Sequence, residues 1–391
     1  MIGTKTRLKK RGLPVKEEKT KIGILSYPNC EKNPNTIPLE HLIEIINGIT
    51  PELFIILGES EYAYHKKNNK NRFLLIKNLK INNPFLRILK EIFIQMKICS
   101  KIIKVNKKVK MWIFFIGGDT LVLPMITAKI LGRKVILLFG GSSIQVSNVS
   151  NDQLVFGLKI QSKINCMLSD KIILYSKIFI KEYNLDKWYN KISIAHEHII
   201  NFSNFKAKKE LNERKNIIGY LGRFSEEKGI LNLLKAVTQI QKVKNNLNFI
   251  LLGDGKAKEK VEAYIANNKL QDIVKIKGWV SHDKLPDYLN ELKLLVLPSY
   301  SEGLPNIILE SMACGTPILS TSVGAIPDII KDSETGFLMD NNSSECISSN
   351  IQRVLNQNDL VSITNNAKKL VEKEFTFEVA VERFSQIFKE I

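Results

Sequence analysis

The chain of 391 residues lacks any hydrophobic run long enough to cross a membrane. Its longest apolar stretches, residues 86–105 and 121–136, are interrupted by lysine and arginine, whereas a spanning helix needs about 20 mostly apolar residues. The basic N-terminus leads into Pro14 and a charged stretch, which is not the pattern of a secretory signal. We therefore expect a cytoplasmic protein, at most peripheral at the inner face of a membrane.

Cysteine is scarce and shows no pairing pattern. The five cysteines are odd in number, scattered and never in a C-x-x-C arrangement, which indicates a reducing compartment and argues against a disulfide framework. His196 and His198 are two positions apart near the end of an expected strand, so both would lie on one face. Because no third ligand is evident, they fit the lining of a cleft better than a metal site. We expect neither a metal nor a cofactor.

Acidic residues are scarce relative to basic ones in the first half of the chain, but not in the second half. Residues 1–200 contain 33 Lys and Arg against 15 Asp and Glu, whereas residues 201–391 contain 25 against 24. The first half could thus meet nucleic acid, an anionic membrane surface or a phosphorylated substrate. A lysine-rich composition that only solubilises the surface would give the same asymmetry.

Strand-like and helical patterns alternate along both halves of the chain, which predicts an α/β fold with two Rossmann-like domains facing across a cleft. We expect a basic tail at 1–20, a first domain at 21–201, a second domain at 202–375, and a last helix at 376–391 that packs back on the first domain. The strand-like runs are residues 21–27, 53–57, 73–76, 111–116, 134–139 and 171–175, then 216–222, 248–252, 274–277, 294–297 and 317–321.

The clearest helical pattern spans Pro84–Val105. Proline opens it, and apolar residues recur at intervals of three and four with lysine and arginine between them. The apolar stripe consists of Phe85, Ile88, Leu89, Ile92, Phe93 and Met96.

Two carboxylates mark the segment PSYSEGLPNIILESMACGTP at residues 298–317. Glu302 would lie in a loop at the carboxyl end of a strand, and Glu310 inside the helix that follows. Ligands bind at that edge of open α/β sheets. Acids in the first turns of a helix also complement its dipole, but the surrounding glycine and proline favour a site for a ligand rich in hydroxyl groups.

The segment GRFSEEKG at residues 222–229 joins a strand to a helix and carries two cations five positions apart. Free N–H groups at a helix N-terminus, with Arg223 and Lys228, suit a phosphate. A second glycine turn, Gly253-Asp254-Gly255, follows the next strand and would let a backbone approach a ligand or a neighbouring loop.

Together these segments resemble retaining glycosyltransferases of the GT-B type, family 4. The resemblance covers residues 217–338 and rests on G-R-x4-K-G, on the segment with the two acids, and on TGFL at 335–338. It implies a metal-free enzyme that moves a hexose-type sugar from a nucleotide-diphosphate sugar to a glycan or lipid-linked acceptor, in cell-surface polysaccharide or glycolipid biosynthesis. Nucleic acid is then not an expected partner.

The resemblance also implies roles for individual residues. Arg223 and Lys228 would hold the donor pyrophosphate, Glu310 the ribose hydroxyls and Glu302 the donor sugar. Glu302, Arg223 and Lys228 form the expected catalytic set. The expected donor-binding set adds Gly222, Gly253, Asp254, Gly303, Leu304, Pro305 and Asn306.

The first half departs from the family pattern. The loop after the first strand, SYPNCEKNP at residues 26–34, has no glycine, and LFGGSS at 138–143 stands where such enzymes carry a histidine near the acceptor. We expect Gly140, Gly141 and Ser142, or Ser143, on the acceptor side. Alternatives on the same scaffold are a sugar-nucleotide epimerase or a phosphorylase, and charge alone would also fit a non-enzymatic binder of anionic surfaces.

Overall fold

A computed structural model describes residues 21–27, 36–58, 71–77, 84–139, 155–241 and 246–391, without the side chains of residues 36, 84–88 and 155. The predicted tail at 1–20, most of the loop at 26–34 and the predicted acceptor residues Gly140, Gly141, Ser142 and Ser143 lie outside this description. Among the described residues, none of the helices combines the length and hydropathy that a membrane span requires.

Seven parallel strands form the first sheet, in the order β3-β2-β1-β4-β5-β6-β7. The five inner strands are almost entirely buried on both faces, as their continuous apolar runs require, whereas the edge strands β3 and β7 are partly exposed. They are β1 Ile22–Ser26, β2 Leu53–Gly58, β3 Arg72–Ile76, β4 Met111–Phe114, β5 Lys134–Phe139, β6 Lys171–Leu174 and β7 Ile192–Ile194.

Helices cover both faces of this sheet. Right-handed crossovers place helices that connect strands in opposite directions along the sheet on opposite faces. Helix α1 therefore lies on one face, and α2, α3 and α4 form a layer on the other, where α3 contacts both of its neighbours. The helices are α1 Thr36–Ile49, α2 Pro84–Val105, α3 Val122–Ile130, α4 Val155–Leu168 and the short α5 Ile178–Glu182.

The second sheet has six parallel strands in the order β10-β9-β8-β11-β12-β13. Its strands are β8 Ile217–Leu221, β9 Asn248–Leu252, β10 Val274–Gly278, β11 Leu294–Leu297, β12 Ile318–Thr321 and β13 Phe337–Met339. Its helices are α6 Ile230–Gln241, α7 Lys258–Asn267, α8 Leu285–Glu291, α9 Asn306–Ala313, α10 Ile326–Ile329, α11 Ser344–Leu355 and α12 Leu360–Glu374. The sequence patterns did not predict β13.

The last helix, α13 Phe377–Lys389, crosses back to the first sheet and packs on α1. A Cβ added at Gly48 of α1 would lie 2.8 Å from Val381. Phe384 is fully buried, with Phe377 and Phe388 packed at the edge of the same core. One hydrophobic cluster thus runs from the first sheet through the terminal helix to one face of the second sheet, while a second cluster fills the other face.

The segment that joins the two sheets lies on the second one. Arg214 is buried, and its guanidinium donates hydrogen bonds to the carbonyl oxygens of Leu289, Leu292 and Cys314 and to Thr316 Oγ1. A charged side chain is costly to bury unless it is fully hydrogen-bonded. These bonds fix the approach of the chain to β8, in a segment whose sequence reads only as polar and charge-dense.

The predicted helix Pro84–Val105 is present as α2, but the apolar stripe noted in its sequence is not the side that meets the sheet. Ile94, Ile98, Ile102 and Val105 face the sheet, whereas Leu89, Ile92, Phe93 and Met96 of that stripe are exposed. The helix bears apolar residues on two opposite faces, and the periodicity alone does not tell which of them meets the sheet.

Candidate functional site

Glu302 and Glu310 lie at the carboxyl-terminal edge of the second sheet, where ligands bind in open α/β folds. Strand β11 ends at Leu297, the chain turns through residues 298–305, and α9 begins at Asn306 without a side-chain cap. The first N–H groups of a helix have no partner inside it. Glu302 therefore stands beside a helix N-terminus, and Glu310 is buried one turn inside that helix, with only 3% of its surface exposed.

Lys228 contacts Glu302 directly. The Lys228 ammonium donates to Glu302 Oε2 at 2.7 Å, and Ser299 Oγ donates to the other carboxylate oxygen at 2.7 Å. Both charged side chains are mostly buried, so the pair is held in one arrangement. The Arg223 side chain, in contrast, is 70% exposed, and its one ion pair within the described residues is with Glu227 at 3.9 Å. Its guanidinium can therefore turn toward an anion.

Two glycines allow these loops to meet. Gly229 ends the turn that carries Lys228 with φ of +66°, and a Cβ there would lie 2.0 Å from the carbonyl oxygen of Pro298. Gly324, with φ of +58°, is pressed in the same way against the carbonyl oxygen of Glu302. Only glycine combines that backbone conformation with so close an approach. The backbone contacts therefore fix the position of Lys228 relative to Glu302.

The turn Gly253-Asp254-Gly255 packs behind the Arg223 loop. The backbone N–H of Phe224 donates to the carbonyl oxygen of Asp254 at 2.9 Å, and Asp254 Oδ1 accepts from the N–H of Gly255 at 2.7 Å. A side chain at Gly253 would meet the carbonyl oxygen of Gly222. These contacts place the predicted donor residues Gly222, Gly253 and Asp254 side by side at the strand ends.

Glu310 is paired with a histidine that the sequence patterns did not single out. His282 Nε2 lies 2.6 Å from Glu310 Oε1. This hydrogen bond raises the pKa of His282 despite partial burial. His282 follows β10, which pairs with β9 in the sheet. Its position after the carboxyl end of a strand could have marked it in the sequence as a candidate site residue.

The first domain reaches the site through His41 and His198. The pKa of His41, on α1, falls to about 4, chiefly through burial and also through the nearby charge of His282. His198 Nε2 contacts the carbonyl oxygen of Leu304 at 2.7 Å. Burial lowers the pKa of His198 to about 3, so the ring is neutral and its Nε2–H is the donor to that oxygen.

His196 stands beside His198 but has other partners. Its ring stacks on Phe375 at 4.8 Å between centroids and contacts the guanidinium of Arg383 on α13. Burial lowers the pKa of His196 well below its usual value. Both histidines follow β7, which ends at Ile194, and both line the junction between the two domains. His196 also lines a cavity of about 210 Å³, together with Leu304 and Asp328.

The structure thus brings together most of the predicted donor set, since Lys228 contacts Glu302, and Gly303, Leu304, Pro305 and Asn306 lead from Glu302 into the helix of Glu310. The carbonyl oxygens of Gly303 and Leu304 accept hydrogen bonds from the N–H of Ala325 and from His198. Among the described residues, histidine, cysteine, aspartate and glutamate form no group of three or more that could hold a metal ion.

The sequence of the second domain is similar to that of a known protein family. The family model described as glycosyl transferases group 1 matches residues 201–370. The second domain is thus similar to glycosyl transferases group 1 over these 170 residues. An uncharacterized glycosyltransferase of Methanocaldococcus jannaschii is 30% identical over 224 residues, which are 57% of this chain and 60% of that protein.

A second relative is the lipopolysaccharide 1,2-N-acetylglucosaminetransferase of Salmonella typhimurium, 29% identical over 195 residues, or 48% of this chain and 51% of that protein. The chain thus spans between half and three fifths of the length of these curated relatives. Both alignments leave a large part of this chain unmatched.

The fold extends over both domains. The crystal structure of HepE from Anabaena in complex with UDP superimposes with a TM-score of 0.76 at 14% identity, covering 95% of this chain and 100% of that one. The fold class predicted from the sequence is confirmed: the chain has the GT-B architecture, with two Rossmann-like domains.

Proposed function

We propose that this protein is a glycosyltransferase that moves a hexose-type sugar from a nucleotide-diphosphate sugar to a glycan or lipid-linked acceptor, with retention and without a metal, as in family 4. The observation that carries the proposal is the contact between Lys228 and Glu302 at 2.7 Å, with Glu310 buried one turn further along α9. The cation and the loop carboxylate are thus in contact at the ligand edge, and the helix carboxylate follows in the same helix–loop segment.

The charges of the site suit a diphosphate leaving group. Departure of a nucleoside diphosphate builds negative charge on its phosphate oxygens, and fixed cations and helix N-termini stabilise that charge most when they are already in place. Lys228 is held beside Glu302, and the exposed Arg223 is free to close on the phosphates. The uncapped start of α9 adds N–H groups directed at the same region.

The two carboxylates then take the ends of the donor. In this proposal Glu310 accepts hydrogen bonds from the ribose hydroxyls, in competition with His282, and Glu302 accepts from the sugar hydroxyls while Lys228 holds it. Charged acceptors make hydrogen bonds that are stronger than neutral ones. A solved structure with this fold, HepE of Anabaena, is in complex with UDP, which supports a nucleotide as part of the ligand.

For the acceptor we propose a polymeric or lipid-linked glycan reached from the cytoplasmic side, with the protein peripheral at an anionic membrane surface. The name of the lipopolysaccharide transferase supports this acceptor class. The excess of 33 cationic over 15 acidic residues in the first 200 supports the anionic surface.

The test is a panel of nucleotide sugars differing in base and hexose, scored by thermal stabilisation of the full chain. We expect at least one to raise the melting temperature, an effect that EDTA leaves unchanged. Glu310→Ala should weaken that ligand by about 100-fold, since about two hydrogen bonds to a charged group are lost. Glu262→Ala, an exposed carboxylate on α7, is the matched control.

If no nucleotide sugar stabilises the protein, or if Glu310→Ala binds as tightly as the parent, the proposal is wrong. Incubation with the donor alone separates the other reactions on this scaffold, because an epimerase would change the free nucleotide sugar and a transferase would not.

A further inference from the structure

Helix α2 carries a second apolar face that the fold does not use. Leu89, Ile92, Phe93, Met96 and Ile103 recur at intervals of three, four and seven positions, so they line one side of the helix. Leu89 is 53% exposed and Ile103 58%. The opposite side is the one that packs on the sheet, so the exposed face is not a misplaced part of the core.

The neighbouring helices continue this face. On α4, Phe156, Ile160 and Met167 are exposed at spacings of four and seven, with Phe156 at 75%. Leu123 and Ile130 are exposed on α3, between the other two helices. Ten of the sixteen large apolar side chains that are exposed among the described residues lie on these three helices. We call this surface the α2–α4 face. Single exposed apolar side chains are common on soluble proteins, whereas a contiguous patch of this kind marks an interaction surface.

Lysines border the apolar residues. On α2 they are Lys90, Lys97, Lys101 and Lys104, and on α4 Lys159 and Lys163, whereas α3 and α4 contain no acidic residue. Within the described part of the chain these six lysines form no ion pair. Their ammonium groups are therefore available to an anionic partner, and Lys97 already lies over the Phe93 ring.

We infer that the α2–α4 face docks on an anionic lipid surface, with its apolar side chains entering the headgroup boundary and its lysines contacting the anionic headgroups. Helices with an apolar face and a lysine-rich flank bind membrane surfaces in this way, and long lysine side chains reach sideways to the headgroups. This inference rests on the membrane-surface part of the proposed function and not on sugar transfer.

Charge selects this occupant over a second copy of the chain. In a symmetric pair the same basic surface would face itself, and like charges would oppose each other. An anionic lipid surface instead supplies negative charge, and each lysine near that surface strengthens the binding constant by about fivefold.

The test is flotation of the full chain with vesicles of phosphatidylcholine alone or with 30% phosphatidylglycerol. We expect binding to the anionic vesicles, at least tenfold weaker binding to the neutral ones, and weakening by salt. The triple variant Leu89→Ser, Phe93→Ser, Met96→Ser should lose at least tenfold in binding. The control Trp279→Ser with Val361→Ser removes exposed apolar groups from the second domain and should bind as the parent does.

A single substitution tests the same face if the triple variant folds poorly. Tryptophan fluorescence of Met96→Trp should shift to the blue and be quenched by brominated lipids on anionic vesicles, whereas Val361→Trp should not respond. Binding that survives the triple variant overturns the face, and no binding by the parent overturns the membrane surface as well. A dimer in light scattering that the triple variant abolishes would assign the face to a second copy. Thermal stabilisation by nucleotide sugars, measured in parallel, reports on the donor site independently.

Discussion

The two domains share an architecture but differ in where their charged groups lie. In the second domain two charged pairs of the candidate site are in direct contact, Lys228 with Glu302 and His282 with Glu310. In the first domain six lysines of the α2–α4 face form no ion pair among the described residues and lie beside exposed apolar side chains. Our proposals accordingly assign a small anionic ligand to the second domain and an extended anionic surface to the first.

This difference explains why one domain is readable from its sequence and the other is not. A site that presses backbone against backbone dictates residue identity, as at Gly229 and Gly324, where a Cβ would lie 2.0 Å from a carbonyl oxygen. A surface of mixed lysine and apolar residues tolerates many sequences and leaves no fixed spacing. The three predictions below test the contrast, from the largest expected effect to the smallest.

Gly229→Ala should give the largest effect. The new Cβ adds a left-handed backbone strain of about 1–2 kcal/mol to a collision with Pro298 that costs about 1–3 kcal/mol to relieve. We expect about 3 kcal/mol of lost stability in calorimetry, and loss of stabilisation by a nucleotide sugar because Lys228 precedes the turn.

The matched control lies in the first domain. Gly132 has a similar φ of +70°, but nothing lies within 4 Å of an added Cβ. Gly132→Ala should cost only the strain, about 1–2 kcal/mol, and leave nucleotide-sugar binding intact. Equal losses at the two glycines would show that close packing does not distinguish the two domains.

The histidines that meet at the cleft should respond to pH in opposite directions. Burial holds the pKa of His198 at about 3, so between that value and about 6.5 the unfolded chain binds a proton that the folded chain does not. Acidification from pH 7 to 5 should therefore lower the free energy of unfolding by about 2 kcal/mol through His198. For His282 the pKa is raised by Glu310, so its contribution is present in acid and is lost as the pH rises through the folded value.

Urea unfolding at pH 7, 6 and 5 measures this difference. His198→Gln keeps a donor for the carbonyl oxygen of Leu304 but does not titrate, so its stability should fall less in acid than that of the parent. His282→Asn should instead remove the part that weakens as the pH rises. The other buried groups nearby, His41, His196 and Glu197, remain in both variants and largely cancel in the comparison. If the parent and His198→Gln have the same pH profile, His198 is not held neutral.

The sequence predicted the strands of both sheets closely, because buried parallel strands are continuous apolar runs. It also predicted Glu302, Glu310 and Lys228 together, since glycine and proline mark their loops. It missed His282, because the contact with Glu310 joins a loop after β10 to the helix α9, 28 positions away. It also missed Arg214, whose partners Leu289 and Thr316 lie 75 and 102 positions away. The sequence does not tell which face of α2 meets the sheet, because the helix carries apolar residues on two opposite sides.

The smallest expected loss of stability is that of an exposed residue on helix α2. Leu89→Ala should change the stability by no more than about 0.5 kcal/mol, because the side chain is exposed. Ile98→Ala, fully buried on the opposite side of the same helix, should cost about 2–5 kcal/mol. Leu234→Ala on α6, where the apolar stripe does face the core, should cost the same as Ile98→Ala. Calorimetry of the three variants tests the orientation of α2. A large loss of stability in Leu89→Ala would show that Leu89 faces the core, and the α2–α4 face would then lack its exposed apolar residues.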